Sequence, residues 1–212
     1  MSIAERFTID GPAGALEIWP SGPITDSNSS PVCVICHPHP LHGGSMDNKV
    51  VFTIAKAMAE LGLASVRFNF RGVGNSQGVH DDGKGERDDL AAVWDWIQGQ
   101  RPAAQCWLAG FSFGSGVAYQ SAGRLPGLAQ LLLVAPPVNM SYYQPQNRVA
   151  VPWAVVHGEQ DQLIPEAEVS AWCESHPDHP RYGMLADADH FFHGQLKPLR
   201  LAIMALMAGD LG

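Results

Sequence analysis

Hydrophobic and polar positions along the chain fall into short runs whose period changes from one segment to the next. Two strand-like runs come first, around 4–9 and 14–19, with GPAG as the turn between them. The polar stretch SGPITDSNSSP (21–31), rich in Pro, Gly and Ser, reads as a loop. From residue 31 onward strand and helix patterns alternate. PVCVICH (31–37), LASVRFNF (63–70), QCWLAGF (105–111), LAQLLLVA (128–135), VPWAVVHG (151–158) and RYGMLAD (181–187) are strand-like. Residues 47–61, 85–100, 113–124 and 166–176 have helical spacing, and a last helix starts at Gln195. Several strands are apolar throughout rather than alternating, as strands covered on both faces are. The pattern predicts an α/β fold: a mostly parallel sheet, helices on both faces, and an antiparallel edge made by the first two strands. Residues 1–212 read as a single domain without internal repeats.

One junction breaks the propensity rules. WLAGFSFGSG (107–116) places Gly110, Ser112, Gly114 and Gly116 just after an apolar run. Glycines weaken strands and helices alike, so the junction needs backbone freedom more than propensity. Strand, then G-x-S-x-G, then helix is the pattern of a nucleophile elbow, which lifts the serine hydroxyl above the sheet. The helix that follows would aim its first N–H groups at charge forming there, with the Phe113 N–H as one oxyanion donor. A glycine-rich turn without chemistry is the alternative.

The elbow predicts an acid and then a histidine further along the chain. VPWAVVHGEQDQLIP places Asp161 in the loop after one strand, and MLADADHFFHG places His190 after the last. A serine is a poor nucleophile near neutral pH until a base takes its proton; histidine can take it and return it, and an aspartate fixes the imidazole. Asp187 and Asp189 are rival acids from the wrong loop, and His193 is a rival base. His157, at a strand end, reads as a packing or hydrogen-bonding residue. A second oxyanion donor should come from HPHPLHGGSMDN (37–48). Pro38 and Pro40 have no N–H, which leaves His39 and Leu41, with His39 favoured.

Other motifs are weighed and set aside. His37, His39 and His42 could suggest a metal, but no carboxylate or cysteine cluster accompanies them. Cys33 and Cys36 have CxxC spacing, yet they lie in an apolar strand where residues three apart face opposite ways. All four cysteines read as buried core residues. FNFRGVGNSQG (68–78) looks like a dinucleotide loop, but Gln77 stands where the third glycine belongs. Arg71 there is expected to brace the loop by pairing with an acid among Glu86, Asp88 and Asp89.

Composition narrows the classes. Net charge is −8, with scattered charges and no basic run, against nucleic-acid or anionic-membrane partners. Glu5 and Arg6 occupy the place of a signal peptide's apolar core, and no apolar run is long enough to span a membrane. A cytoplasmic protein is expected, monomer or homodimer, with the C-terminal helix packed on the sheet or forming a dimer contact.

Taken together, HPHPLHGGSMDNKVV, RFNFRGVGNSQG, GFSFGSG, HGEQDQLIP and DADHFFHG resemble the small bacterial α/β-hydrolases, in particular the compact lidless esterases akin to dienelactone hydrolase. The resemblance spans about residues 30–195 and implies the α/β-hydrolase fold without a cap domain. It implies Ser112, Asp161 and His190 as the triad, and Phe113 and His39 as the oxyanion hole. Dienelactone hydrolases carry a cysteine nucleophile, so Ser112 argues against dienelactone as substrate. The connection APPVNMSYYQPQNRVA is too short for a helical lid. Met140, Tyr142 and Tyr143 there either line the pocket or cover the core edge. The expected activity is hydrolysis of a small-molecule carboxylic ester or thioester through an acyl-enzyme, with no cofactor. Acyl transfer, amide or peptide cleavage and carbon–carbon hydrolysis remain open on the same triad, as does a non-catalytic binding module.

Overall fold

In a computed structural model, residues 5–22, 30–140 and 147–208 are described. One eight-stranded sheet forms the centre, in the order β1-β2-β4-β3-β5-β6-β7-β8. Strands β1 (Phe7–Gly11) and β2 (Gly14–Ser21) form the antiparallel edge, and β2 also runs antiparallel to β4 (Ala64–Phe68). From β4 through β3 (Val32–Cys36), β5 (Cys106–Phe111), β6 (Leu128–Val134), β7 (Trp153–Gly158) and β8 (Arg181–Leu185) every pairing is parallel. This is the architecture the pattern predicts. The first strand starts later than 4–9 and runs on to Gly11, because Gly11 pairs with Gly14 and only Pro12 and Ala13 turn. Strand β7 starts at Trp153, beyond Pro152, which has no N–H to give the ladder.

Helices α1 (Lys49–Glu60) and α5 (Leu196–Met207) cover one face; α2 (Lys84–Gln100), α3 (Phe113–Ser121) and α4 (Glu166–Ser175) cover the other. Two apolar cores result. Alternate residues of each central strand divide between them: Cys33 and Ile35 face α1, while Val32, Val34 and Cys36 face α3. The two cysteines of the CxxC spacing therefore sit in different cores. All four cysteines are free and buried, and burial pushes their thiols upward, to about 12 at Cys173. The C-terminal helix packs on the sheet and on α1 through Leu199, Ile203 and Met207.

Chain order reverses beside β5: β3 and β4 lie to one side of it, and β6 to β8 to the other. Loops leaving the carboxyl ends of these strands diverge there, the usual place for a site in an open α/β sheet. The loop after β4 is tied down by a buried carboxylate. Glu17 on β2 is 4 % exposed. It accepts from Asn69 Nδ2 at 2.7 Å, Asn75 N at 3.0 Å and Asn75 Nδ2 at 2.9 Å. Ser76 Oγ bridges Glu17 N and Asn69 O, and Asn69 Oδ1 accepts from Met46 N. The glycines and asparagines of FNFRGVGNSQG thus serve a hydrogen-bonded hub. Arg71 braces the same loop against Asp89, at 2.7 Å.

Burial pushes the Glu17 carboxyl up, but hydrogen bonds from Asn75 and Asn69 and the charge of Arg6 outweigh it and hold it below its ordinary value. A carboxyl lowered by folding stabilises the fold above its unfolded pKa and loses that contribution as pH falls through the folded value. Glu17→Gln should cost about 2–3 kcal/mol at pH 7, because an amide N–H would face buried donors. Urea melts between pH 7 and pH 3 should show wild type losing stability on acidification more steeply than the variant. Parallel slopes would count against the hub.

Candidate active site

Ser112 stands between β5 and α3 with φ 51° and ψ −121°, a backbone region that side chains with a Cβ rarely occupy. Several contacts impose this. Ser112 N donates to Val134 O at 2.9 Å, and Ser112 O accepts from Ser115 N at 2.8 Å as α3 starts. A Cβ on Gly110 would collide with the Gly114 carbonyl, and one on Gly114 with the Cys36 and His37 carbonyls. Helix and strands can approach this closely only without side chains there. The serine hydroxyl is consequently raised above the sheet, half-buried.

His190 meets it from the loop after β8. His190 Nε2 lies 2.9 Å from Ser112 Oγ, and His190 Nδ1 lies 2.6 Å from Asp161 Oδ2. Asp161, in the loop after β7, turns its other oxygen to its own loop and accepts from Leu163 N at 2.8 Å and Ile164 N at 2.9 Å. Burial pushes the Asp161 carboxyl up, but the His190 hydrogen bond and those two N–H groups outweigh it and hold it ionised below its ordinary value. An ionised Asp161 fixes the proton on His190 Nδ1 and leaves Nε2 as the acceptor facing Ser112. Phe111 and Phe191 hold the imidazole from either side, with ring centroids 5.6 and 5.1 Å away.

The rivals are placed elsewhere. Asp189 caps its own turn and pairs with exposed His193 at 2.7 Å. Asp187 accepts from Gln160 Nε2 on the surface. His157 is buried; its Nε2 donates to Ile164 O at 3.0 Å and lies 3.5 Å from Asp161 Oδ2. Burial lowers its pKa, so it serves as a neutral prop under the Asp161 loop. This is the hydrogen-bonding role at the strand end expected from sequence, with the partner set by where residues 158–164 fold back.

The loop after β3 separates its histidines. His37 turns inward against Phe70 and accepts from Phe70 N at 3.0 Å; burial pushes its pKa down to about 4. His39 and His42 stack at 4.5 Å, and His39 lies 4.9 Å from the ring of Phe113. The Leu41 N–H donates to His39 Nδ1 at 3.2 Å. Among the described residues no group of three His, Cys, Asp or Glu is arranged to hold a metal. His80 joins this cluster of rings, 4.9 Å from His39 and 5.5 Å from Phe113, with Glu86 behind it at 2.9 Å. Sequence reading missed His80, which no motif marks. Met140 is half-exposed on the connection after β6; Tyr142 and Tyr143 lie outside the described residues.

Comparison with known proteins agrees with this architecture. Residues 31–147 match the family described as serine aminopeptidase, S33, a span that includes Ser112 but neither Asp161 nor His190. An α/β serine hydrolase homologue from Coxiella burnetii is 43 % identical, with a TM-score of 0.91 over 98 % of this chain and 99 % of that one. A Xanthomonas campestris α/β serine hydrolase without a lid is 39 % identical, with a TM-score of 0.90 over 99 % and 95 %. An uncharacterized protein of Rickettsia prowazekii is 35 % identical over 93 % of this chain and 86 % of its own length.

The strained serine makes a stability test. Ser112→Gly should be about 1–3 kcal/mol more stable than Ser112→Ala, since glycine adopts this conformation freely and alanine does not. Denaturant titration of the two variants measures it; equal midpoints would mean that no strain is held at the elbow.

Proposed function

The chain belongs to the serine aminopeptidase, S33 family of α/β-hydrolases, and from that premise we propose that it is a serine hydrolase cleaving small carboxylic esters or thioesters through an acyl-enzyme on Ser112. The observation that carries this reading is the unbroken hydrogen-bonded chain Ser112–His190–Asp161, at 2.9 and 2.6 Å. His190 Nε2 takes the Ser112 proton as Oγ attacks the acyl carbon. Negative charge then grows on the carbonyl oxygen, and the backbone N–H groups of Phe113 and His39 receive it. His190 returns the proton to the leaving oxygen or sulfur, and the acyl group stays on Ser112. A water, deprotonated by the same imidazole, attacks the ester carbon; the bond to Ser112 Oγ breaks, His190 returns the proton to Oγ, and the acid is released. Asp161 stays ionised throughout and stabilises the imidazolium.

Breadth of substrate follows from the surroundings. The connection after β6 is short and contributes no described helix over the site, which suits small or surface-presented acyl groups. In this reading Met140, exposed on that connection, borders the acyl group. The chemistry needs no metal or organic cofactor. None of the helices in the described residues is long and apolar enough to cross a membrane.

The matched family's description favours a second reading, cleavage of an amide at a peptide amino terminus. Rates on p-nitrophenyl acetate and on aminoacyl p-nitroanilides distinguish the two, and a preference for the anilides would move the assignment to a peptidase.

Intact-mass analysis after a fluorophosphonate probe should give one adduct on wild type and none on Ser112→Ala; no adduct on folded wild type would remove the acyl-enzyme reading. Asp161→Asn should lower kcat/KM by about three to four orders of magnitude. Asp189→Asn should stay within about threefold, as expected for an exposed pair. The reverse ranking would reassign the acid.

A further inference from the structure

Three of the chain's four lysines line one groove. Lys49 begins α1, Lys56 lies two turns along it, and Lys197 is the second residue of α5. With Arg200 they surround a groove of about 450 Å³ between the two helices, floored by Phe52, Thr53 and Leu196. Among the described residues no carboxylate is within ion-pair distance of any of the three lysines. The two acids at the groove are already engaged: Asp47 with Arg6 and Glu60 with Arg200, each at 2.6 Å.

A column of stacked cations and rings backs this groove. Arg6 lies 4.3 Å and Arg67 4.1 Å from the Trp19 ring, while Arg67 and Lys56 lie 5.4 and 5.0 Å from the Phe52 ring. Arg67 is 2 % exposed, and its one hydrogen bond among the described residues goes to the Met46 carbonyl. Arg67 Nε and Arg200 Nε are buried N–H groups with no hydrogen-bond partner among the described residues. Six of the thirteen Lys and Arg therefore converge here against two carboxylates, in a chain whose net charge is −8. Both helices also direct their positive N-terminal ends to this side.

Structural ion pairing does not account for the arrangement, since among the described residues the lysines have no carboxylate partners and two guanidinium N–H groups are left unmet. We propose that the α1–α5 groove is a binding site for a compact, multiply charged phosphate anion, either free or carried on a lipid headgroup. Lysine ammonium groups meet phosphate as point charges with three donors each, and the groove has the volume of a small-ligand site. A single carboxylate would leave most of the positive charge uncompensated; a diphosphate would compensate it. The site is distinct from Ser112 and does not rest on the hydrolase reading.

Calorimetric titration of the full chain with inorganic pyrophosphate tests this. Saturable binding is expected, weakened by added sodium chloride and about tenfold weaker in the Lys49→Gln/Lys197→Gln double variant. Both lysines are exposed and unpaired, so the variant should keep the wild-type melting temperature and ester turnover. Ser112→Ala should bind as wild type does; loss of binding there would place the anion at the serine and overturn the proposal. Co-sedimentation with vesicles of phosphatidylglycerol in phosphatidylcholine separates the sources. Lysine-dependent sedimentation assigns a lipid headgroup, and pyrophosphate binding without sedimentation assigns a soluble phosphate. Neither form of binding, or binding indifferent to the lysines, overturns the proposal.

Discussion

Helix α3 starts one residue after β5 ends, and it lies against the Cys36 and His37 carbonyls with no room for a Cβ at Gly114. That approach dictates the rest of the site. It forces Ser112 into a left-handed backbone conformation, and it does so between two strands that belong to opposite halves of the sheet. The same contact brings the loop after β3 alongside the first turn of α3, so that His39 meets Phe113. Strain at the serine is held by burial around it: Phe111 and Phe113 are in the two cores on either side of the sheet. A local cost of a few kcal/mol can be carried only by surroundings that leave the chain no alternative.

Around this junction the loops are shaped by buried carboxylates that collect backbone N–H groups. Glu17 takes the Asn75 N–H, Glu86 those of Asp81 and Gly83, Asp89 that of Arg71, and Asp161 those of Leu163 and Ile164. A carboxylate has about four acceptor positions, so one buried side chain can end several loop donors at once. Asp161 shares this structural task and adds another, because its second oxygen faces His190. Holding the loop and holding the imidazole are thus one act of positioning, with neutral His157 supporting both from below.

The apolar runs made the alternating fold legible, and the glycines at 110 and 114 marked the elbow, because both signals are local. Strand β1 was misplaced by about two residues since the turn is Pro12–Ala13 alone, a detail of register that the GPAG pattern does not carry. The partners Asp161 and His190 could be named because elbow chemistry dictates chain order. Their distances could not, nor could the hydrogen bond from the Leu41 N–H to the His39 side chain. Glu17 and His80 escaped notice altogether. Each takes its meaning from residues far away in sequence, Asn69 and Asn75 for one and His39 for the other. Scattered charge was likewise the correct linear reading, yet α1 and α5 gather lysines separated by well over a hundred positions into one groove.

This separation of charge bears on what Ser112 can accept. Arg71 and Arg87 are committed to partners, Asp89 and Gln120. The groups that approach Phe113 are rings, His39 and His80, with Glu86 and Asp82 beside the latter. Burial and the neighbouring His42 and His80 lower the pKa of His39, which favours its neutral form. An anionic acyl group entering here would meet the Glu86 and Asp82 carboxylates and a neutral His39. The proposed hydrolase would on this ground favour uncharged acyl groups, while three lysines stand at the α1–α5 groove. On the two proposals above, a protein of net charge −8 with six of its thirteen Lys and Arg at the α1–α5 face would separate neutral from anionic ligands by position.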